Sequence, residues 1–152
     1  MVDIIHRIGI RFPAAQVYKA LSTKYGLAHW WTDEVNGEER IGGKLKFTFR
    51  NDMGKVKGII VMEVKELNPQ KDIRWHCLDG PEEWIGTDIT FQLSQQDDQT
   101  ILLFSHSNWR EAVEFTAHCS MKWAVFLLSL REYVETGKGK PSPRDLKIDN
   151  WN

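Results

Sequence analysis

Four residues in the last third of the chain have side chains that could take part in chemistry: His106, His118, Cys119 and Lys122. Imidazole titrates near neutral pH, so His106 or His118 could act as a general base or donate a hydrogen bond to a carbonyl group. Cys119 would be a nucleophile only if a cation stabilised its thiolate, and Lys122 lies within one helical turn of it. Lys122 could also meet the carboxylate of a bound ligand.

Each of these residues also has an ordinary structural explanation. A histidine at a strand end often forms a hydrogen bond with a backbone group, and a buried cysteine packs as a small apolar side chain. A lysine can lay its methylenes along an apolar surface and place its ammonium in solvent. No carboxylate partner is fixed by spacing, and the five histidines show no His-x-His or His-x-x-x-His pattern. We therefore expect no catalytic set, no metal site and no cofactor, and the sequence favours a non-catalytic protein.

The seven tryptophans are the strongest compositional feature. Indole rings can simply fill a core, or they can line a pocket for a flat or aliphatic ligand, and the sequence leaves both open. Alternation along the strands places a set of large side chains on the inward face with the helix residues. We predict that these residues form the wall of a ligand site whose polar end is oriented by His106, His118 and Lys122: Trp31, Phe47, Met62, Trp75, Phe91, Phe104, Phe115, Cys119 and Trp123.

The elements that must position these residues can be inferred from hydrophobic spacing. Between residues 111 and 135, apolar residues recur every three or four positions, which predicts a long helix with one buried side. Asn108 followed by Glu111 resembles a capping box, and Gly137 marks the end of the helix. Residues 43–107 alternate instead and predict antiparallel strands.

The first forty residues predict a strand over residues 2–12 and two short helices, one beginning at Pro13 and one over residues 24–30. Residues 32–40 predict a polar break. Because the long helix must bury its apolar side against the sheet, the sequence predicts an α+β fold, with a curved antiparallel sheet around a C-terminal helix. We expect one domain over residues 1–152, with an extended tail over residues 138–152 that Trp151 alone could anchor.

Composition excludes several classes of protein. The net charge is -1 with acids and bases interspersed, which argues against a nucleic-acid partner and against stable membrane association. Two cysteines are too few for a disulfide scaffold. No apolar run approaches the ~20 residues of a membrane span, and the polar N-terminal sequence is unlike a signal peptide. We expect a cytoplasmic protein, either a monomer or a homodimer.

Several stretches resemble a known superfamily. They are residues 13–21 (PAAQVYKAL), Trp30-Trp31, residues 41–45 (IGGKL), residues 100–106 with Trp109, and the helix carrying Trp123, Leu127, Leu130 and Tyr133. With this order of elements, the chain resembles the START and birch-pollen-allergen helix-grip (SRPBCC) superfamily, in the branch of homologues of the activator of the heat-shock protein 90 ATPase. The resemblance implies a helix-grip fold, and its members are mostly ligand carriers or uncharacterised proteins.

We therefore predict a domain that binds a small hydrophobic molecule, lipid-like or aromatic, in an internal cavity. One alternative is an interaction protein that resembles a chaperone-ATPase activator or acts in a stress response and contacts a chaperone. That alternative predicts an exposed patch around Trp109 or Trp151. A second alternative is an enzyme of the cyclase or hydrolase type that uses His106 or His118.

Overall fold

The computed structural model describes residues 2–152 and shows an α+β fold, as the sequence predicts. Seven antiparallel strands form one sheet in the order β1-β7-β6-β5-β4-β3-β2, and two short helices and one long helix accompany it. The elements are β1 Val2–Ile10, α1 Ala14–Ser22, α2 Lys24–Trp30, β2 Glu34–Gly37, β3 Lys44–Arg50, β4 Val56–Asn68, β5 Asp72–Asp79, β6 Asp88–Gln96, β7 Gln99–Trp109 and α3 Glu114–Thr136.

The two short helices begin where the sequence predicts. Pro13, whose backbone is extended, directly precedes α1, and proline is common at helix starts. At the start of α2, the hydroxyl of Thr23 accepts a hydrogen bond from the backbone N–H of Gly26. A Cβ atom at Gly26 would lie 2.6 Å from the Cα of Ala20. The absence of a side chain at Gly26 therefore lets the two helices pack closely.

The long helix begins later than the sequence predicts, and the predicted capping box at Asn108 and Glu111 is wrong. β7 continues to Trp109, and Asn108 adopts a φ of 71° while its backbone N–H donates to Asp3. The helix starts instead at Glu114, where the hydroxyl of Thr116 accepts from the backbone N–H of Val113 at 3.1 Å. Its end follows prediction, since Gly137 is left-handed and its N–H donates to Tyr133.

Two other local predictions differ from the structure. The predicted polar break contains β2, a four-residue edge strand held by pairing with β3 and by two hydrogen bonds between Arg50 and Glu34. Trp84, which the alternation places in a strand, lies in the 3-10 turn Glu82–Trp84 before β6. Its indole is buried against the sheet interior.

The C-terminal segment, residues 138–152, runs back along the molecule and is held at several points. Ser142 exchanges backbone hydrogen bonds with Trp31 and Asp33, and Arg144 forms two bonds with the carboxylate of Asp33. Trp151 is therefore only one of its anchors. Within residues 2–152, no helix combines the length and the apolar character needed to cross a lipid bilayer.

Candidate functional site

Much of the space between the sheet and α3 is filled by aromatic side chains. Phe47, Trp75, Phe91 and Phe104 are fully buried and in contact, with ring centroids 5.1 Å apart for Trp75 and Phe91 and 5.4 Å apart for Phe91 and Phe104. Met62 is buried among the same core residues. These five residues of the predicted wall belong to the buried core, and they do not line the cavity described next.

A cavity of about 480 Å³ lies beside this aromatic core and opens to solvent. It is bounded by α3, by β3 and β4, by the connection between β5 and β6, and by the end of the C-terminal segment. Six of the twelve predicted site residues line it: Trp31, Phe115, His118, Cys119, Lys122 and Trp123. The structure thus brings together the predicted helix residues and Trp31, and separates them from the predicted strand residues.

Sequence reasoning missed other residues that line the cavity, among them Phe49, Lys57, Gly58, Ile60, Trp84, Phe126 and Trp151. Phe126 lies on the predicted apolar side of α3 and could have been included. Phe49 and Ile60 share the alternation of the inward strand residues. The position of Trp84 depends on the 3-10 turn, and that of Lys57 on the pairing of two strands, so neither had a signal in the sequence.

His106 is completely buried, and both of its ring nitrogens are occupied. Nδ1 accepts the indole N–H of Trp123 at 3.1 Å, so the proton of the neutral ring is on Nε2, which donates to the hydroxyl of Thr87 at 2.8 Å. That hydroxyl donates in turn to the carbonyl of Trp84. Burial lowers the pKa of His106 to about 3, which keeps the ring neutral. His106 therefore holds three segments together and has no free nitrogen for a substrate.

Cys119 faces the cavity from α3, but its thiol is not activated. Burial raises the pKa of Cys119 to about 12, although the indole N–H of Trp84 donates to Sγ at 3.4 Å and acts in the opposite direction. Lys122 does not stabilise a thiolate here, because its ammonium is hydrogen-bonded to Asp145 and to the carbonyl of Leu146. Cys119 is a packed thiol that contributes sulfur to the cavity wall.

The C-terminal segment closes one side of the cavity through two side-chain contacts with α3. Lys122 pairs with the buried carboxylate of Asp145, and Nδ1 of His118 lies 2.7 Å from the carboxylate of Asp149. Burial by itself would raise the pKa of Asp145, but hydrogen bonds from Lys122 and Lys147 and their charges lower it overall. The hydrogen bond from His118 lowers the pKa of Asp149. Both acids are thus held as anions over α3.

Trp151 completes this closing segment at the cavity. Its ring lies 5.6 Å from His118 and 6.3 Å from Phe115, and 47% of the residue remains exposed. Trp109, the other tryptophan predicted for an exposed patch, is only 1% exposed and belongs to the core. The prediction of an exposed patch around Trp109 is therefore wrong.

The cavity is mainly apolar. Its walls are aromatic and aliphatic, with lysines and one histidine at the edge. Within residues 2–152, no three or more His, Cys, Asp or Glu side chains are grouped so that they could hold a metal ion. Apolar walls with a few polar groups are typical of pockets for small organic molecules.

Comparison with known proteins identifies the family. The model of the family described as "Activator of Hsp90 ATPase homolog 1-like protein" matches residues 11–135. The chain belongs to this family. The match begins just after β1 and ends in the last turn of α3, so it covers six of the seven strands and all three α-helices, but not the C-terminal segment. No curated protein shows significant similarity to this chain.

Solved structures agree with this assignment. The solution structure of the Aha1 dimer from Colwellia psychrerythraea has 43% sequence identity to this chain and superposes on it with a TM-score of 0.80. The alignment covers 91% of this chain and 100% of the solved chain. Protein MLL2253 from Mesorhizobium loti (18% identity, 88% and 97% coverage, TM-score 0.74) and CalU16 from Micromonospora echinospora (19%, 93% and 77%, TM-score 0.71) share the fold.

Proposed function

We propose that this protein binds a small hydrophobic molecule in the cavity beside α3. The observation that carries the proposal is the cavity itself, about 480 Å³ with aromatic and aliphatic walls. This volume lies within the roughly 300–1,000 Å³ of typical ligand sites. Burying apolar ligand surface contributes about 25 cal/mol per Å², which favours binding where the site is preformed.

The contacts of His106 argue against its use as a general base. His106 donates and accepts within the protein's own network through both ring nitrogens, whereas His118 contacts Asp149 through Nδ1 alone. A general base needs a free nitrogen within hydrogen-bond reach of the substrate. His118 is the one of the two that borders the cavity, and its contact with Asp149 also serves to hold the C-terminal segment.

Gly58 offers a direct test of the cavity. It lines the cavity from β4, and a Cβ atom there would meet no heavy atom within 4 Å. Gly58→Leu should therefore place a side chain in the empty space without disturbing the backbone, whereas Gly58→Ala should leave most of the space open. The two variants differ only in how much of the cavity they fill.

The experiment uses a library of fatty acids, fatty alcohols, flavonoids and aromatic acids, with tryptophan fluorescence and melting temperature as the measurements. We expect some members of the library to quench the tryptophan fluorescence of the wild-type protein and to raise its melting temperature. Gly58→Ala should retain this response, and Gly58→Leu should lose most of it while remaining folded. A wild type that responds to no member, or a Gly58→Leu variant that responds equally, would overturn the proposal.

A second candidate is a protein-interaction role, favoured by the family assignment. The family is described by its likeness to the activator of the Hsp90 ATPase, and the relative that is 43% identical is described as a dimer. Under this candidate the protein forms a homodimer and contacts a chaperone of the Hsp90 class. Light scattering coupled to size exclusion tests the dimer. ATP hydrolysis by purified Hsp90, with and without the protein, tests the contact, and an unchanged rate would contradict it.

A further inference from the structure

Lys57 reaches the cavity because of an irregularity in strand pairing. Phe49 pairs with Gly58 and Arg50 pairs with Val56, so Lys57 is an extra residue in β4 with no partner opposite it. In a regular strand, Lys57 would face away from Gly58 and Ile60, which point inward. A bulge of this kind redirects a side chain, and Lys57 lies among the lining residues of the cavity.

In the part of the chain that the structure describes, Lys57 has no carboxylate partner, unlike the two lysines near it. Lys57, Lys122 and Lys147 lie at this edge of the cavity together with Asp52, Asp145 and Asp149. Asp145 is shared by Lys122 and Lys147, and Lys147 Nζ also lies 4.0 Å from Asp52. Within residues 2–152, Lys57 forms no ion pair and no side-chain hydrogen bond of its own. The ammonium of Lys57 is therefore available to an anion bound in the apolar space beside it.

The surroundings of Lys57 also oppose its charge. Desolvation lowers the pKa of Lys57, the charges of Lys147 and Lys122 act in the same direction, and Asp145 and Asp52 act against them. Lys57 is nevertheless exposed, so solvent partly screens any pair that its ammonium forms with a bound anion.

We propose that the ligand of the cavity is a small amphiphilic acid, whose carboxylate meets Lys57 while its apolar body lies against Trp84, Trp123 and Phe126. This inference rests on the proposed function, and it adds the ligand class and the residue that selects it. Lys57 should therefore favour binding of an acid over binding of an uncharged molecule of the same shape.

The test measures two matched pairs of probes by isothermal titration calorimetry: decanoic acid with decan-1-ol, and 2-naphthoic acid with 2-naphthalenemethanol. The variants are Lys57→Gln, the charge-conserving Lys57→Arg, and Lys55→Gln as a matched control. Lys55 lies in the same hairpin and does not line the cavity. Melting temperatures establish that each variant is folded.

We expect the wild type to bind an acid more tightly than its alcohol. Lys57→Gln should lower the affinity for the acid about fivefold, which is the size expected for one partly exposed ion pair, and it should leave the affinity for the alcohol unchanged. Lys57→Arg and Lys55→Gln should bind like the wild type. Equal binding of acid and alcohol, or an acid affinity that Lys57→Gln does not change, overturns the inference and leaves the proposed function standing. If no acid binds, the inference also fails, and the library and the Gly58 variants then decide the proposed function separately.

Discussion

The indole N–H of Trp123 donates to Nδ1 of His106 over 3.1 Å, and this bond fixes the protonation state of a fully buried histidine. Because His106 is neutral when folded, with a pKa lowered to about 3 from 6.5, the unfolded chain binds one more proton between these two values. The contribution of neutral His106 to the free energy of unfolding is therefore largest above about pH 6.5, and it decreases as the pH falls toward about 3.

Replacing His106 by Gln should remove this pH dependence. From about pH 7 to about pH 5, we expect the free energy of unfolding of the wild type to fall by about 2 kcal/mol more than that of His106→Gln. Urea denaturation at both pH values measures this difference. His29→Gln, which removes an imidazole outside the network, serves as the control. Parallel pH profiles for the wild type and His106→Gln would contradict the neutral, buried assignment.

Asp145 should be important for the attachment of the C-terminal segment. Asp145→Asn removes the negative charge with which both Lys122 and Lys147 pair. The positive charge of Lys122, which is largely buried, would then have no partner. We expect a loss of about 3 kcal/mol in the free energy of unfolding and faster hydrogen exchange in residues 138–152. The exposed Asp149→Asn should have a smaller effect. A segment that remains equally protected in both variants would show that its backbone contacts suffice.

Neither thiol should react in the folded protein. Burial raises the pKa of Cys77 to about 11 and that of Cys119 to about 12, so the thiolate is scarce near neutral pH. Iodoacetamide at about pH 8, followed by mass spectrometry, should leave both residues unmodified in buffer and modify both in concentrated guanidinium. Rapid modification of Cys119 in buffer would show that the cavity wall opens readily.

Two glycines should respond in opposite ways to the same substitution. Gly26→Ala brings a Cβ within 2.6 Å of the backbone of Ala20, and we expect it to cost about 1–3 kcal/mol. Gly58→Ala enters open space and should leave the stability unchanged or raise it by up to about 1 kcal/mol. Thermal unfolding of both variants measures this contrast. Equal losses would show that the strand at Gly58 requires glycine for its backbone.

The α+β fold could be predicted because its main elements carry strong local patterns. The three- and four-residue spacing along α3 and the alternation of β3 to β7 are properties of each segment alone. β2 was not predicted, since Glu34, Asn36 and Gly37 show no apolar alternation and their strand depends on pairing with β3. The start of α3 was misplaced because the conformation of Asn108 depends on its contact with Asp3, more than one hundred residues away.

Only part of the candidate site could be predicted, for a related reason. Alternation indicates which face of a strand a residue occupies, but it does not indicate whether the space beside that residue is filled. Phe47 and Phe49 share the inward face of β3, yet Phe47 packs into the core and Phe49 borders the cavity. Lys57 lines the cavity because two strands pair with one residue in excess, and this depends on both strands together.

The contacts among the indoles have an optical consequence. Trp31 lies 6.0 Å from Trp75 and 5.2 Å from Trp123, and Trp123 lies 5.9 Å from Trp84, between ring centroids. Rings this close share excitation, so the near-ultraviolet circular dichroism should contain strong exciton bands that report on the packing of the whole interior. A quencher that touches Trp84 alone should dim the emission of several tryptophans at once.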